Sequence, residues 1–342
     1  LLSAGFSGCD IGRRPGPSAS ESLRLLASAP GVAQGLDCEL DAGPTCGLAP
    51  TGALRFRFDR WLLPTTATSQ SVSLVTAGTE LGVAIHPIYD VATRTIEYPL
   101  SVPGGVAFEL RLTDADEDPS GFGFRGFDGP ALETKVTIPF RTALEAPPVG
   151  SAISQGAAPS CARVVTTLAN AGCSRVGCHS RQTSPECSSS SPAMAWDESI
   201  RHCVHVPRMG LLLDDAQGLL ATAINHVAHE TQNGPDISRR VVSADRFGDQ
   251  MPIIDPGRPE NSYLIYKLVI GEQFNRELAE RSDPSDPLSP RPMTRDEINR
   301  ARDWFVRFGP MPPEGAGTPS GVSLYELYRV LFDWVRAGAD CG

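Results

Sequence analysis

The chain changes its hydrophobic period about halfway along. Between residues 48 and 146 apolar and polar positions alternate with a period of two, which marks strands with one buried face. The pattern predicts strands at 54–58, 72–75, 83–85, 95–100, 107–112 and 136–140. A turn is predicted at Tyr89-Asp90. Short strands separated by Gly, Pro and Asp turns predict an all-β sandwich. After Pro147-Pro148 the period lengthens to that of helices. Thr294…Glu297 and Ser323…Glu326 have the form of capping boxes. The first leads Ile298, Ala301, Trp304, Phe305 and Phe308 onto one face. The second leads Leu327, Tyr328, Leu331, Trp334 and Val335 to a stop near Gly338. Further helices are expected at about 161–169, at 213–227 started by Asp214 or Asp215, and after Pro259. Residues 281–292 carry four prolines and predict an exposed connection.

The 342 residues give room for two or three domains. Residues 10–47 are rich in Gly, Pro, Ser and Ala and read as a flexible tether. A net charge of −10 argues against nucleic acid as a partner, since phosphate binding needs clustered positive charge. No run of about 18 apolar residues is long enough to span a bilayer. Asp114 to Asp118 reads as a solvated turn rather than a calcium loop, because it lacks the spacing of a calcium motif. The sequence contains no nucleophile elbow, phosphate loop, dinucleotide fingerprint or His-Glu-x-x-His.

Nine cysteines are many for a reducing compartment and odd for a pure disulfide framework. Leu1 to Cys9 has the look of a secretory apolar region running into a lipobox, Phe6-Ser7-Gly8-Cys9. On that reading Cys9 carries lipid and anchors an exported chain to the membrane. A plain cleaved signal peptide or a buried cysteine are the other readings. Cys38 and Cys46 flank turn residues and are expected to close a small disulfide loop. Cys187 and Cys203 are expected to close an inserted loop within 181–208.

Cys173-Ser174-Arg175-Val176-Gly177-Cys178-His179 carries the most chemistry. Two thiols followed directly by His is the arrangement of c-type haem attachment, with the thiols on the porphyrin edge and the imidazole on iron. The usual spacing is two residues between the cysteines, and here it is four. A Cys173–Cys178 disulfide beside an incidental His is one alternative. The other is a zinc site completed from His202, Cys203, His205, His226 or His229.

The C-terminal part resembles the cytochrome c-like domains of exported bacterial proteins. The resemblance rests on an ordered set of phrases: Met209-Gly210-Leu211-Leu212-Leu213, Pro256-Gly257-Arg258-Pro259 through Leu264, Gly309-Pro310-Met311-Pro312-Pro313, and Trp334 through Ala339. It implies an all-α domain over 147–342 holding one covalent haem c on Cys173 and Cys178. It also implies His179 and Met311 as the axial iron ligands, with Met251 and then Met293 as alternates to Met311. Met194 and Met209 read as core residues. Crossing terminal helices imply a Cys161–Cys341 disulfide. The strands over 48–146 resemble bacterial Ig-like domains, which serve as spacers or adhesion modules.

The expectation is therefore a lipid-anchored, monohaem electron carrier on the periplasmic or outer-membrane face of the cell envelope, serving an unidentified redox partner protein. A surface or scaffolding lipoprotein without haem, and a zinc-bound module, are the alternatives.

Overall fold

The computed structural model describes residues 22–29, 53–79, 82–83, 87–114, 123–127, 130–144, 157–174, 178–180, 183–184, 194–197, 202–205, 210–228, 251–283, 285–286, 288–304, 306, 310–312 and 321–342. The strands of the first part are β1 (Leu25–Ala29), β2 (Ala53–Phe58), β3 (Val72–Thr76), β4 (Gly82–Val83), β5 (Ile88–Asp90), β6 (Thr95–Pro99), β7 (Ala107–Leu112) and β8 (Val136–Arg141). They form two four-stranded sheets, ordered β1-β2-β6-β5 and β4-β3-β7-β8, with every neighbouring pair antiparallel. Alternation places Leu54, Phe56 and Phe58 of β2 in the core with Leu74 of β3 and Phe108, Leu110 and Leu112 of β7. Tyr98 of β6 donates its hydroxyl to the Val72 carbonyl at 3.3 Å, linking the two sheets.

The expected strands all lie on β2, β3, β4, β6, β7 and β8, within a residue or two where described. Two strands depart from the sequence reading. β1 falls within the stretch taken as tether. It pairs with β2, and Leu23 just before it is fully buried, so residues 22–29 belong to the fold. Tyr89-Asp90 is strand β5, and the turn follows one step later at 91–94. Asp90 starts that turn by accepting the Thr93 amide at 3.1 Å. Asp114 is buried and bridges Phe124, unlike a solvated turn; residues 115–118 lie outside the described residues.

The second part holds α1 (Cys161–Asn170), β9 (Thr183–Ser184), β10 (Met194–Asp197), β11 (His202–His205), α2 (Ala216–Thr222), α3 (Tyr263–Val269), α4 (Glu272–Glu280), α5 (Arg295–Trp304) and α6 (Leu324–Arg336). The order is thus β first and α afterwards. The short strands β9–β11 form their own antiparallel sheet in a stretch expected to be an inserted loop. α2 is much shorter than the 213–227 periodicity suggested. Asp215 caps its start, and after Ala223 the backbone leaves to bridge Ile224 to Ile254 and Val227 to Pro252. Pro259–Asn261 is a 3-10 turn leading into α3, and α4 was not foreseen.

The Thr294 box closes as expected. The Thr294 amide donates to the Glu297 carboxylate at 2.7 Å, and the Glu297 amide donates to Thr294 Oγ1 at 3.2 Å. The Ser323 box is half made within α6, where Ser323 Oγ accepts the Glu326 amide at 3.3 Å. The other acceptor is Glu277 of α4, which takes Ser323 Oγ at 2.6 Å and the Tyr325 amide at 3.0 Å. α6 is the hub of this part: α1, α3 and α4 all pack on it. Its buried face includes Leu327, Tyr328, Leu331, Trp334 and Val335. α6 ends where Gly338 takes a φ of 107°, a region that only Gly adopts freely.

The two parts share one apolar cluster. Trp61 meets Tyr266 of α3 edge to face at 5.3 Å between ring centroids. Tyr328 of α6 donates to Asp90 of β5 at 2.6 Å and accepts the Ala92 amide at 3.2 Å. Arg94 pairs with Glu297 of α5 at 2.7 Å. Arg57 points away from the sheet core, yet is only 2% exposed. The proline-rich segment covers it, and Arg57 donates to the Ser289 carbonyl at 2.6 Å. The expected exposed connection is therefore in part a lid on the sheet. Burial, with Arg291 and Arg94 nearby, lowers Arg57 to about 10, which leaves it charged at neutral pH.

Candidate functional site

Ser160 caps α1 by accepting the Arg163 amide at 3.3 Å, and Val164 and Leu168 face the core. The helix ends at Gly172, whose φ of 83° turns the chain inward. The Cys173 amide then donates to the Leu168 carbonyl at 2.9 Å. That turn puts the Cys173 thiol in the core, 3% exposed. Burial, with Cys178 nearby, pushes it up to about 12. Cys178 is half-buried, and both thiols are free.

His179 is held twice by one segment. Its carbonyl accepts the Leu213 amide at 2.8 Å, and its Nδ1 lies 3.2 Å from the Leu211 carbonyl. A carbonyl can only accept, so Nδ1 carries a proton and donates it. Metal-ligating histidines are oriented in this way, by a second partner on the other ring nitrogen.

Two residues that sequence reasoning passed over hold that segment in place. Thr222 of α2 accepts the Leu212 amide on its hydroxyl at 2.9 Å. Gly218 lets α2 approach closely: a Cβ there would lie 2.8 Å from Leu212 Cβ. A helical glycine facing a Leu-rich segment was the available signal.

Met311 is fixed from elsewhere. Its amide donates to the Lys267 carbonyl of α3 at 2.9 Å, and its side chain is half-buried against the shared core. Met251 is 3% exposed and accepts the Ala228 amide on its carbonyl at 3.0 Å. Met293 packs against the same cluster, its amide held by Asn275 Oδ1 at 2.6 Å. The bonds that fix His179 thus come from the Leu211–Leu213 segment, and those that fix Met311 come from α3.

Cys161 and Cys341 form a disulfide, joining the start of α1 to the chain beyond α6. Cys9, Cys38, Cys46, Cys187, Met209 and His229 lie outside the described residues, as do Phe305 and Phe308 of the expected α5 face. So do the side chains of Met194, His202, Cys203, His205 and Trp304. His226 is exposed. Among the described residues no three His, Cys, Asp or Glu side chains gather as a metal-binding group. No described helix is long and apolar enough to cross a membrane.

No protein-family model matches the chain, and no curated protein does. Among solved structures it is similar to parts of bacterial surface-layer proteins. The S-layer protein rSbsC aligns with a TM-score of 0.25 and 12% identity, covering 41% of this chain and 16% of that one. The N-terminal part of SbsC aligns with a TM-score of 0.23 and 12% identity, covering 36% and 24%. The chain thus matches under a quarter of the length of either.

Proposed function

We propose that this protein is an exported, lipid-anchored electron carrier of the cell envelope, holding one haem c on Cys173 and Cys178. The reading takes the helical part as a cytochrome c-like domain and the sheets as an Ig-like domain. The observation that carries it is the His179 ring, held through Nδ1 by the Leu211 carbonyl beside two free thiols. A cofactor held by two thioethers, an imidazole and a thioether ligand fits that donor set.

Each chain residue then has a defined task. The thiols of Cys173 and Cys178 would hold the porphyrin covalently, one thioether each. His179 would supply the imidazole ligand, its ring oriented through Nδ1 by the Leu211 carbonyl. Met311 would supply a thioether ligand, and such a ligand favours reduced iron and a higher potential. The apolar packing of Cys173, Leu211, Leu213 and Leu219 keeps water from the buried side. Bound iron supplies the one-electron chemistry.

The Cys161–Cys341 disulfide supports export, because such bonds persist in oxidising compartments. Lipid on Cys9 supplies the membrane anchor in this reading. Lipid on one cysteine, haem on two and three disulfides would employ all nine. The test is a haem stain with a reduced-minus-oxidised spectrum, on protein matured in an envelope that attaches haem c. A covalent haem band is expected, and its absence together with a Cys173–Cys178 disulfide overturns the reading.

A further inference from the structure

The contact between sheets and helices contains a carboxyl group that the proposed electron-carrier role does not use. Glu260 sits in the 3-10 turn Pro259–Asn261, which packs against β5, against the Pro64–Thr66 turn and against α6. It is 3% exposed. Among the described residues its charge-bearing partner is Arg258, whose Nε reaches Glu260 Oε1 at 3.4 Å from a side chain that is itself 39% exposed. Near it in charge are Tyr89 from β5, Tyr266 from α3, and Asp255 with Arg258 from its own segment, while the packed elements β5 and α6 bring Asp90 and Tyr328, which bond to each other. The Pro64–Thr66 turn brings no charged group. Tyr266 donates its hydroxyl to the Glu260 backbone carbonyl at 2.8 Å. The two rings nearest in charge, Tyr89 and Tyr266, are fully buried, and both stand at the junction of the two parts.

We propose that Glu260 is a pH-sensitive latch on this junction: protonated, it packs as a neutral side chain, and once ionised it loosens the contact between sheets and helices. An ionised carboxylate here is offset by its own main-chain N–H and by one long, partly solvated ion pair, which is poor compensation for a buried charge with Asp255 nearby. Burial pushes the Glu260 carboxyl up to about 7, against smaller downward pulls from its own main-chain N–H and from Arg258. A folded-state value above the ordinary 4.5 fixes the sign. The stabilisation is complete below the unfolded value and is lost as pH rises through about 7.

The experiment compares thermal unfolding of the full chain at about pH 5.5 and about pH 8, with Glu260→Gln alongside. The melting temperature of the unaltered protein should fall by several degrees between the two, and the fall should vanish in Glu260→Gln. Amide exchange at Ala92, whose N–H donates across the junction to the Tyr328 hydroxyl, reports on the contact itself, and exchange at Leu62, whose N–H donates to Tyr89, reports on the sheet residue beside Glu260. At the higher pH both should exchange faster than in Glu260→Gln, and at the lower pH equally. If Glu260→Gln does not fold, Arg258→Ala serves instead, and its melting transition should shift to higher pH. A fall in melting temperature that persists unchanged in either variant, or exchange at Leu62 and Ala92 that ignores pH, overturns the proposal.

Discussion

The junction of sheets and helices and the Cys173–His179 turn are built in different ways. At the junction, side chains reach between segments far apart in sequence: Arg57 to Ser289, Arg94 to Glu297, and Tyr328 to Asp90. Many are charged, buried and individually expensive to leave unpaired. Among the described residues of the 173–179 segment, the bonds run to main-chain carbonyls and amides close by in the fold. Cys173 is tied to Leu168, and His179 to Leu211 and Leu213, with apolar packing behind them. A junction made of polar cross-links sets two bodies in one arrangement. At the described residues of 173–179, the two thiols enter no disulfide. The free thiols of Cys173 and Cys178, against the bonded pair Cys161–Cys341, make the same contrast.

Substitutions can break or sharpen this contrast. The largest loss is expected from replacing Cys161 and Cys341 together by Ser. Their bond spans 180 residues, and the chain-entropy account gives a stabilisation of about 5 kcal/mol for a loop of that size. Denaturant unfolding measures it. Next comes Trp61→Ala, which empties a 2% exposed site between the two parts. A loss of about 3–5 kcal/mol is expected. Sheets and helices should still melt together, and two separate transitions would mean that the junction does not couple them. Asp90→Ala removes the acceptor for Tyr328, Arg329 and the Thr93 amide, and should cost about 2–3 kcal/mol. Thr222→Val leaves the Leu212 amide without its acceptor, and should cost about 1 kcal/mol. On the proposed function it should also alter the haem spectrum, which Asp90→Ala should leave unchanged. Smallest is Arg55→Ala, an exposed position on the outer face of β2. Its pair with Glu97 is 44% exposed on the Arg side, and less than about 0.5 kcal/mol should be lost.

Much of the architecture was legible because it repeats locally. β7 follows its alternating pattern residue for residue, and the Thr294 box closes as read. What escaped was non-local. β1 lies in a stretch whose Gly, Pro, Ser and Ala content resembles a linker, and only pairing with β2 and burial of Leu23 make it a strand. α4 has a polar surface with few apolar anchors, Phe274 and Leu278, so its period was faint. Its Glu277 then supplies the acceptor that the Ser323 box was expected to hold within α6. Burial, which raises the Glu277 carboxyl, is outweighed by the Ser323 and main-chain bonds, and the group is held below its ordinary value. Its contribution is thus present above that value and fades as pH falls, the reverse of Glu260. At the candidate site, Cys173, Cys178 and His179 were legible as a motif. Thr222 and Gly218 were not, because their partner Leu212 becomes visible only once α2 folds back on it.

The most direct test of the central claim is whether haem binds covalently to Cys173 and Cys178. The protein should be produced with haem c maturation, denatured, and analysed by haem absorbance and by mass of the peptide containing residues 173–179. One haem joined to that peptide, lost in Cys173→Ala with Cys178→Ala, is the expected result. A haem-free peptide carrying a Cys173–Cys178 disulfide would contradict it.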